Sequence, residues 1–324
     1  MSALLEARGL STWFPVGRRW QRQQLLKAVD AVDLDVRAGE TLALVGESGS
    51  GKTTLGRTLL RLIEPTAGTI RFEGQDLLAM KGPALRTLRR RMQIVFQDPF
   101  ASIDPRMSVG EIVAEGLVVH GIGNAAERAA RVAEVLALVG LDGTLARRYP
   151  HALSGGQRQR IGIARALTLE PSFIVADEAV SSLDVSVQAQ VLRVLAELRQ
   201  RLALTMLFIT HNLGVVRMIA DRVVVMYLGR VVEVGPTAEL FARPAHPYTR
   251  ALLASVPVPD PTLRPELAGL QGELPSGIER PAGCVFRTRC PHAMPACAQE
   301  LPALAEAGRD HRAACIRLQE IRHT

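Results

Sequence analysis

Gly46-Glu47-Ser48-Gly49-Ser50-Gly51-Lys52-Thr53-Thr54 follows directly on the apolar run Thr41-Leu42-Ala43-Leu44-Val45. The pattern G-x-x-x-x-G-K-T between a strand and a helix is a phosphate-binding loop. The backbone amides of Gly49 to Thr53 can cradle phosphate oxygens at a helix N-terminus, where the dipole favours anions. In this reading Lys52 reaches the β- and γ-phosphates and the Thr53 hydroxyl ligates Mg²⁺. Gly46, Glu47, Ser48, Ser50 and Thr54 complete the nucleotide-binding stretch. A second Gly-rich turn, Leu153-Ser154-Gly155-Gly156-Gln157, lies far along the chain and opens another helix. Its glycines allow close backbone approach to an anion and the Ser154 hydroxyl donates. One subunit has no need of two γ-phosphate sites, whereas two copies opposed head to tail do, each loop completing the other's site.

Working outward, the chain alternates strands and helices. Val29–Val36 and Thr41–Val45 read as strands, followed by a helix from Lys52 to about Ile63, ended by Glu64-Pro65. Thr69–Glu73 and Gln93–Phe96 are strand-like, with a basic helical stretch at Leu85–Arg91 between them. From residue 98 to about 165 the character turns helical: Ser108-Val109-Gly110-Glu111 is a capping box and Ala125–Leu141 keeps helical spacing. Phe173–Ala176 and Thr205–Thr210 resume buried strands around a long helix, Val185–Arg201. Arg222–Met226 and Arg230–Val234 close the first domain, predicted to span residues 1–243. Beyond it Pro is frequent (Pro244 and Pro247, Pro257 to Pro265, Pro275, Pro281) and periodicity fades until about Leu301, marking a separate extension over 244–324.

Bulk properties narrow the function classes. The 324 residues are 48% hydrophobic, enough for two domains with sizeable cores. Leu202–Ala220 is interrupted by His211, Asn212 and Arg217, so it does not read as a membrane span, and the N-terminal residues lack a signal-peptide pattern. A cytoplasmic chain is expected, with any membrane role exercised through a partner. The net charge of +7 suits nucleic acid, anionic headgroups or nucleotide phosphates, but the arginines are mostly scattered over solvated helix faces. With 4% aromatics the chain offers no stacking platform for single-stranded nucleic acid. Lysine occurs only at positions 27, 52 and 81, so its presence in the phosphate loop points to a chemical requirement.

Three further positions fall where an α/β sheet places ligands. Phe173-Ile174-Val175-Ala176-Asp177-Glu178 is an apolar strand ending in two carboxylates whose side chains diverge. Asp177 is assigned to Mg²⁺ and Glu178 to polarising the attacking water; the alternative is an acidic cap after a buried strand. His211 emerges after strand Met206–Thr210 and can hold the γ-phosphate. Gln97 opens the helical insert and can ligate Mg²⁺ while sensing the insert's rotation.

These motifs together resemble the ATP-binding subunit of an ATP-binding-cassette (ABC) transporter. Walker A is Gly46–Thr53, Gln97 the Q-loop, Leu153–Gln157 the signature, and Phe173–Asp177 Walker B with Glu178 as base. Ser181–Asp184 is the D-loop, with Asp184 at the nucleotide interface, and His211 the switch. The resemblance implies a P-loop fold with a RecA-like core, an antiparallel β subdomain and a helical subdomain. More narrowly, Gln97-Asp98-Pro99, Leu183–Gln190, His246-Pro247-Tyr248-Thr249 and Gly283–Pro291 are similar to the oligopeptide/dipeptide importer group. That implies ATP and Mg²⁺, two integral membrane permease subunits, a second cassette and, indirectly, an extracytoplasmic binding protein. It implies a place on the cytoplasmic face of the cell membrane and no nucleic-acid partner. Other importer cargoes (nickel chelates, glutathione, antimicrobial peptides) and a soluble ATPase acting on ribosomes or DNA are the rival readings. Ala179 stands where such chains usually have Pro, and Trp13, Phe14 and Trp20 compete to stack on adenine, Phe14 being preferred. Cys284, Cys290, Cys297 and Cys315 are spaced C-x₅-C-x₆-C-x₁₇-C, open to a four-thiolate site, buried free thiols or a disulfide. In the resembling group this tail motif is associated with a [4Fe-4S] cluster, which is expected here ahead of zinc.

Overall fold

The computed structural model describes residues 3–17, 24–98, 102–181, 183–255 and 272–321. Trp20, Pro99, Ser182 and the prolines from 257 to 265 lie outside the described residues. The elements in chain order are β1 (Ala3–Val16), β2 (Gln24–Arg37), β3 (Thr41–Val45), α1 (Lys52–Leu59), β4 (Ala67–Phe72), β5 (Gln75–Asp76), α2 (Gly82–Arg89) and β6 (Met92–Val95). There follow α3 (Val109–Val119), α4 (Ala125–Leu138), α5 (Gly155–Leu167), β7 (Phe173–Asp177), α6 (Val185–Leu202), β8 (Thr205–Ile209) and α7 (Leu213–Ile219). The chain ends with β9 (Arg222–Tyr227), β10 (Arg230–Pro236), α8 (Thr237–Ala242), α9 (Pro247–Ala254), β11 (Ala305–Gly308), β12 (His311–Ala313) and α10 (Leu318–Ile321). Two compact units result: one from Met1–Leu4, Val36–Thr41 and Asp76–Ile209, the other from Leu5–Asp35, Leu42–Gln75 and Thr210–Thr324.

In the first unit β6, β7 and β8 pair in parallel, Met92 opposite Phe173 and Asp177 opposite Ile209. Every residue of β7 and β8 is buried, which is why both read as unbroken apolar runs. Parallel neighbours need a crossover, and α6 supplies it between β7 and β8. The insert consists of α3, α4 and α5 packed on one another. Each opens with a reciprocal capping box, at Ser108/Glu111, Asn124/Glu127 and Ser154/Gln157, satisfying N–H groups that the helix itself cannot.

In the second unit β1 pairs antiparallel with β4, and β3 runs parallel to β9 from Leu42/Arg222 to Val45/Val225. Helix α1 stops at Leu59, four residues before the expected end. The chain turns left-handed at Arg61 (φ 51°), whose N–H bonds back to the Thr58 carbonyl. The region past residue 243 holds structure that its Pro content obscures. Strand β12 pairs antiparallel with β10, Glu233 opposite Ala313, and β11 pairs with β12. Phe286 and Tyr248 pack against Tyr227 of β9 with ring centroids 5.3 and 4.7 Å away.

A buried carboxylate anchors this region. Glu233, wholly inaccessible, accepts from the Ala245 N–H (2.7 Å), the His246 N–H (2.9 Å) and His311 Nε2 (2.7 Å). A charge taken out of water persists only when its lone pairs are met in this way. Beside it, His246 Nδ1 accepts from the Tyr248 N–H and caps α9, so its proton sits on Nε2. Burial pushes His246 down to about 4 from the ordinary 6.5, against the pull of Glu233. Between those values the unfolded chain binds more protons than the folded one, so stability falls as pH is lowered through the window. Denaturant unfolding between pH 7 and pH 4 should show a loss of up to about 3 kcal/mol, flattened in His246→Asn, which keeps the capping oxygen.

Candidate functional site

The phosphate loop is shaped by close backbone contacts within the second unit. Gly46, Gly49 and Gly51 have φ of 151°, 80° and 101°. A Cβ on Gly46 would lie 2.1 Å from the Met226 carbonyl oxygen, and one on Gly51 would lie 2.0 Å from that of Ala28. Neither position admits any other residue. The Ser50 carbonyl accepts from the Gly229 N–H (2.8 Å), tying the loop to the β9–β10 turn. Lys52 is 4% exposed, and its Nζ donates to the Gly46 and Glu47 carbonyls, both at 2.8 Å, and to Ser50 Oγ at 3.4 Å. Thr53 and Thr54, both half-buried, stand in the first turn of α1, and Ser48 is exposed.

Glu47 is held on all its polar groups. Its N–H donates to Tyr248 Oη (2.8 Å), and its carboxylate accepts both arms of Arg289 (2.6 and 3.1 Å). Neither partner was assigned to the site from sequence. Both sit in stretches quoted only as resemblances, and nothing local ties them to a loop 201 and 242 positions earlier.

In the first unit Asp177 closes β7, 1% exposed, and Glu178 follows in a left-handed conformation (φ 47°). The turn is fixed by the Glu178 N–H on the Ile209 carbonyl (3.0 Å) and by Ser181 Oγ on the Glu178 carbonyl (3.0 Å). Ala179 is buried beside it. Gln97, two residues past β6, donates from Nε2 to Glu178 Oε2 at 2.8 Å, an outcome of the parallel β6–β7 pairing. His211, which belongs to the second unit, is exposed two positions after β8.

The signature turn is a cap and a packing surface at once. Ser154 Oγ accepts from the Gln157 N–H (3.3 Å), and Gln157 Oε1 accepts from the Ser154 N–H (3.0 Å). Gly156 has a packing reason, since its Cβ would lie 2.3 Å from Val187 Cγ1, and Gly155 faces Leu183. Asp184 caps α6, accepting from the Val187 N–H (2.9 Å) and Ser186 Oγ (2.7 Å); those bonds hold its carboxyl below the usual range. Phe14 is half-buried on β1, and its neighbour Trp13 carries the Lys27 ammonium 4.8 Å above its ring.

The expected iron–sulfur or zinc site is corrected by the structure. Among the described residues no group of three or more His, Cys, Asp or Glu side chains could hold a metal ion. The four cysteines are free thiols, with Cys284 and Cys290 packed against the Tyr227–Tyr248–Phe286 core and Cys315 against Ala313 and Leu318. Burial pushes Cys284 and Cys315 up and Cys290 to about 11, the protonated form that a small apolar side chain takes. Mg²⁺ takes hard oxygen donors, a chemistry that a threonine hydroxyl, a side-chain amide oxygen and a carboxylate each offer.

Fold and site define an ATPase cassette, and comparison with known proteins places it. The family described as ABC transporter matches residues 29–181, and the one described as oligopeptide/dipeptide transporter, C-terminal region, matches residues 232–297. A Brucella ovis relative, provisionally named a peptide import ATP-binding protein, is 56% identical across 97% of this chain and 98% of its own. The oligopeptide transport ATP-binding protein AppF of Bacillus subtilis is 50% identical, covering 96% of each chain. Among solved structures, the dimeric ATP-binding cassette MJ0796 bound to ADP and Pi is similar with TM-score 0.65 and 27% identity, covering 72% of this chain and 98% of that one. CbiO1 of Clostridium perfringens, part of the transporter complex cbiONQ, gives TM-score 0.65 and 28% identity over 75% and 92%. The chain belongs to the ATP-binding subunits of ABC transporters, in the oligopeptide/dipeptide branch, and its fold is the RecA-like ABC ATPase cassette.

Gly156→Ala should destabilise the protein by about 1–3 kcal/mol through overpacking, and adding Val187→Ala should recover most of the loss in denaturant unfolding.

Proposed function

We propose that this ATPase is a motor subunit of a membrane importer of di- and oligopeptides. Its cargo class rests on the end-to-end similarity to the peptide-transport relatives and on the C-terminal match. Two integral membrane permeases, a second cassette and, indirectly, an extracytoplasmic binding protein are its partners. No described helix is long and apolar enough to cross a membrane, so attachment at the cytoplasmic face goes through the permeases. Residues 1–243 act as the cassette and 244–324 as its extension.

The observation that carries the motor reading is the 2.8 Å bond from Gln97 to Glu178. It ties the residue that opens the helical insert directly to the carboxylate at the end of β7. A shift of the insert therefore alters the surroundings of the catalytic base.

In the reaction, the amides of Gly49 to Thr53 and the Lys52 ammonium hold the β- and γ-phosphates of ATP. Glu178 Oε2 accepts the proton of the attacking water, whose oxygen forms the new bond to γ-phosphorus as the bond to ADP breaks. For that step Oε2 must share or release the Gln97 donor. His211 donates to the γ-phosphate, and Ser154 to Gln157 of an opposed cassette close over it, with that copy's Asp184 alongside. Thr53, Asp177 and Gln97 would hold Mg²⁺, which would supply positive charge against the phosphate oxygens. Phe14 stacks on the adenine. Catalysis is thus positioning and electrostatics more than covalent chemistry.

Glu178→Gln should lower turnover by at least about 100-fold while leaving ATP binding intact. Normal turnover removes Glu178 as the base. Ser154→Arg should block hydrolysis without weakening ATP binding to the isolated chain; unchanged hydrolysis contradicts the opposed pair.

A further inference from the structure

We propose that Tyr248 and Arg289 are positioning residues of the ATP site, through which the C-terminal region sets nucleotide affinity. This inference rests on reading Gly46–Thr53 as the phosphate site and deepens it. Glu47 follows Gly46, where the chain leaves β3 and enters the loop, and its carbonyl is one of the two that hold the Lys52 ammonium at 2.8 Å. The peptide group before that carbonyl is gripped by Tyr248, whose Oη accepts the Glu47 N–H at 2.8 Å. The side chain is gripped by Arg289 at 2.6 and 3.1 Å. Tyr248 and Arg289 therefore fix the backbone that in turn places the Lys52 ammonium.

The grip is of the rigid kind. The Arg289 side chain is 5% exposed and that of Glu47 27%, so solvent and salt screen the pair less than a surface ion pair. A forked guanidinium on a carboxylate fixes orientation as well as distance. Tyr248 is fully buried among Tyr227 and Phe286, so its hydroxyl has little freedom to move. Leu274 adds a third contact, its Cδ2 3.5 Å from where a Cβ of Gly49 would stand. All three residues belong to the stretch after residue 243, whose ligand-binding role is otherwise unassigned.

The test uses the full-length chain, Mg²⁺ and ATP, with binding read by calorimetry and hydrolysis by phosphate release. The loop contacts substrate and transition state alike, so Arg289→Ala should raise KM and Kd for ATP by about 10-fold with kcat within about two-fold. Arg289→Lys, a point charge without the fork, should recover part of the affinity. Tyr248→Phe keeps the ring packing and should weaken binding by about 3-fold. Glu47→Gln combined with Arg289→Ala should be no worse than Arg289→Ala alone, because the two act through one contact. Should Arg289→Ala fail to fold, Tyr248→Phe and Glu47→Gln decide the matter. Wild-type affinity in the folded variants, or lower melting temperatures with unchanged KM, overturns the proposal. Absence of ATP binding by the unaltered chain overturns the phosphate site itself and the positioning role with it.

Discussion

A buried ammonium must find acceptors, and Lys52 finds them in the loop that precedes it. With 4% exposure it cannot rely on water, so the Gly46 and Glu47 carbonyls turn inward to meet it. That inward turn sets the conformation of the loop. It requires positive φ at Gly46 and Gly51 and leaves no room for a Cβ against the Met226 and Ala28 carbonyls. Strand β9 and the Ala28 backbone are thereby committed as the walls of the loop. The Gly229–Ser50 hydrogen bond closes it from the β9–β10 turn. A packed backbone, more than any single side chain, is what keeps the amides aimed at an anion.

The first unit solves a different problem, which is how to present a carboxylate at the end of a wholly buried strand. Asp177 is the last of five buried residues in register with β8, Glu178 follows it, and the turn is pinned by the Ile209 carbonyl and Ser181. The left-handed Glu178 is strained for a side chain of that kind and is held by those contacts. Gln97 reaches it because β6 is the parallel neighbour of β7. Signature and D-loop are likewise one packed object, with Gly156 against Val187 and Asp184 capping the helix that carries Val187.

Much of this was legible in the chain. Strands buried on both faces announce themselves as apolar runs, so β3, β7 and β8 were found nearly to the residue. The capping box at Ser108 and the Gly-rich turn at Ser154 marked the starts of α3 and α5 because their chemistry is local. The end of α1 was misplaced because Arg61, an ordinary residue in a left-handed turn, leaves no mark in the sequence. Strands β11 and β12 escaped notice because each has only three or four residues, some exposed, and β12 joins the sheet through β10, far back along the chain. The cysteines misled for a related reason: spacing hints at ligands, but side-chain packing decided, and it put the thiols into apolar clusters. Tyr248 and Arg289 show the same limit, since no periodicity connects them to Glu47.

As a motor, this ATPase has to be found with the membrane proteins that it drives. The most direct measurement is mass-spectrometric identification of what accompanies the intact tagged chain from gently solubilised membranes. Two multi-helix membrane proteins and a second cassette should accompany it. Ribosomal or DNA-bound partners, with no membrane protein among them, would contradict the motor reading.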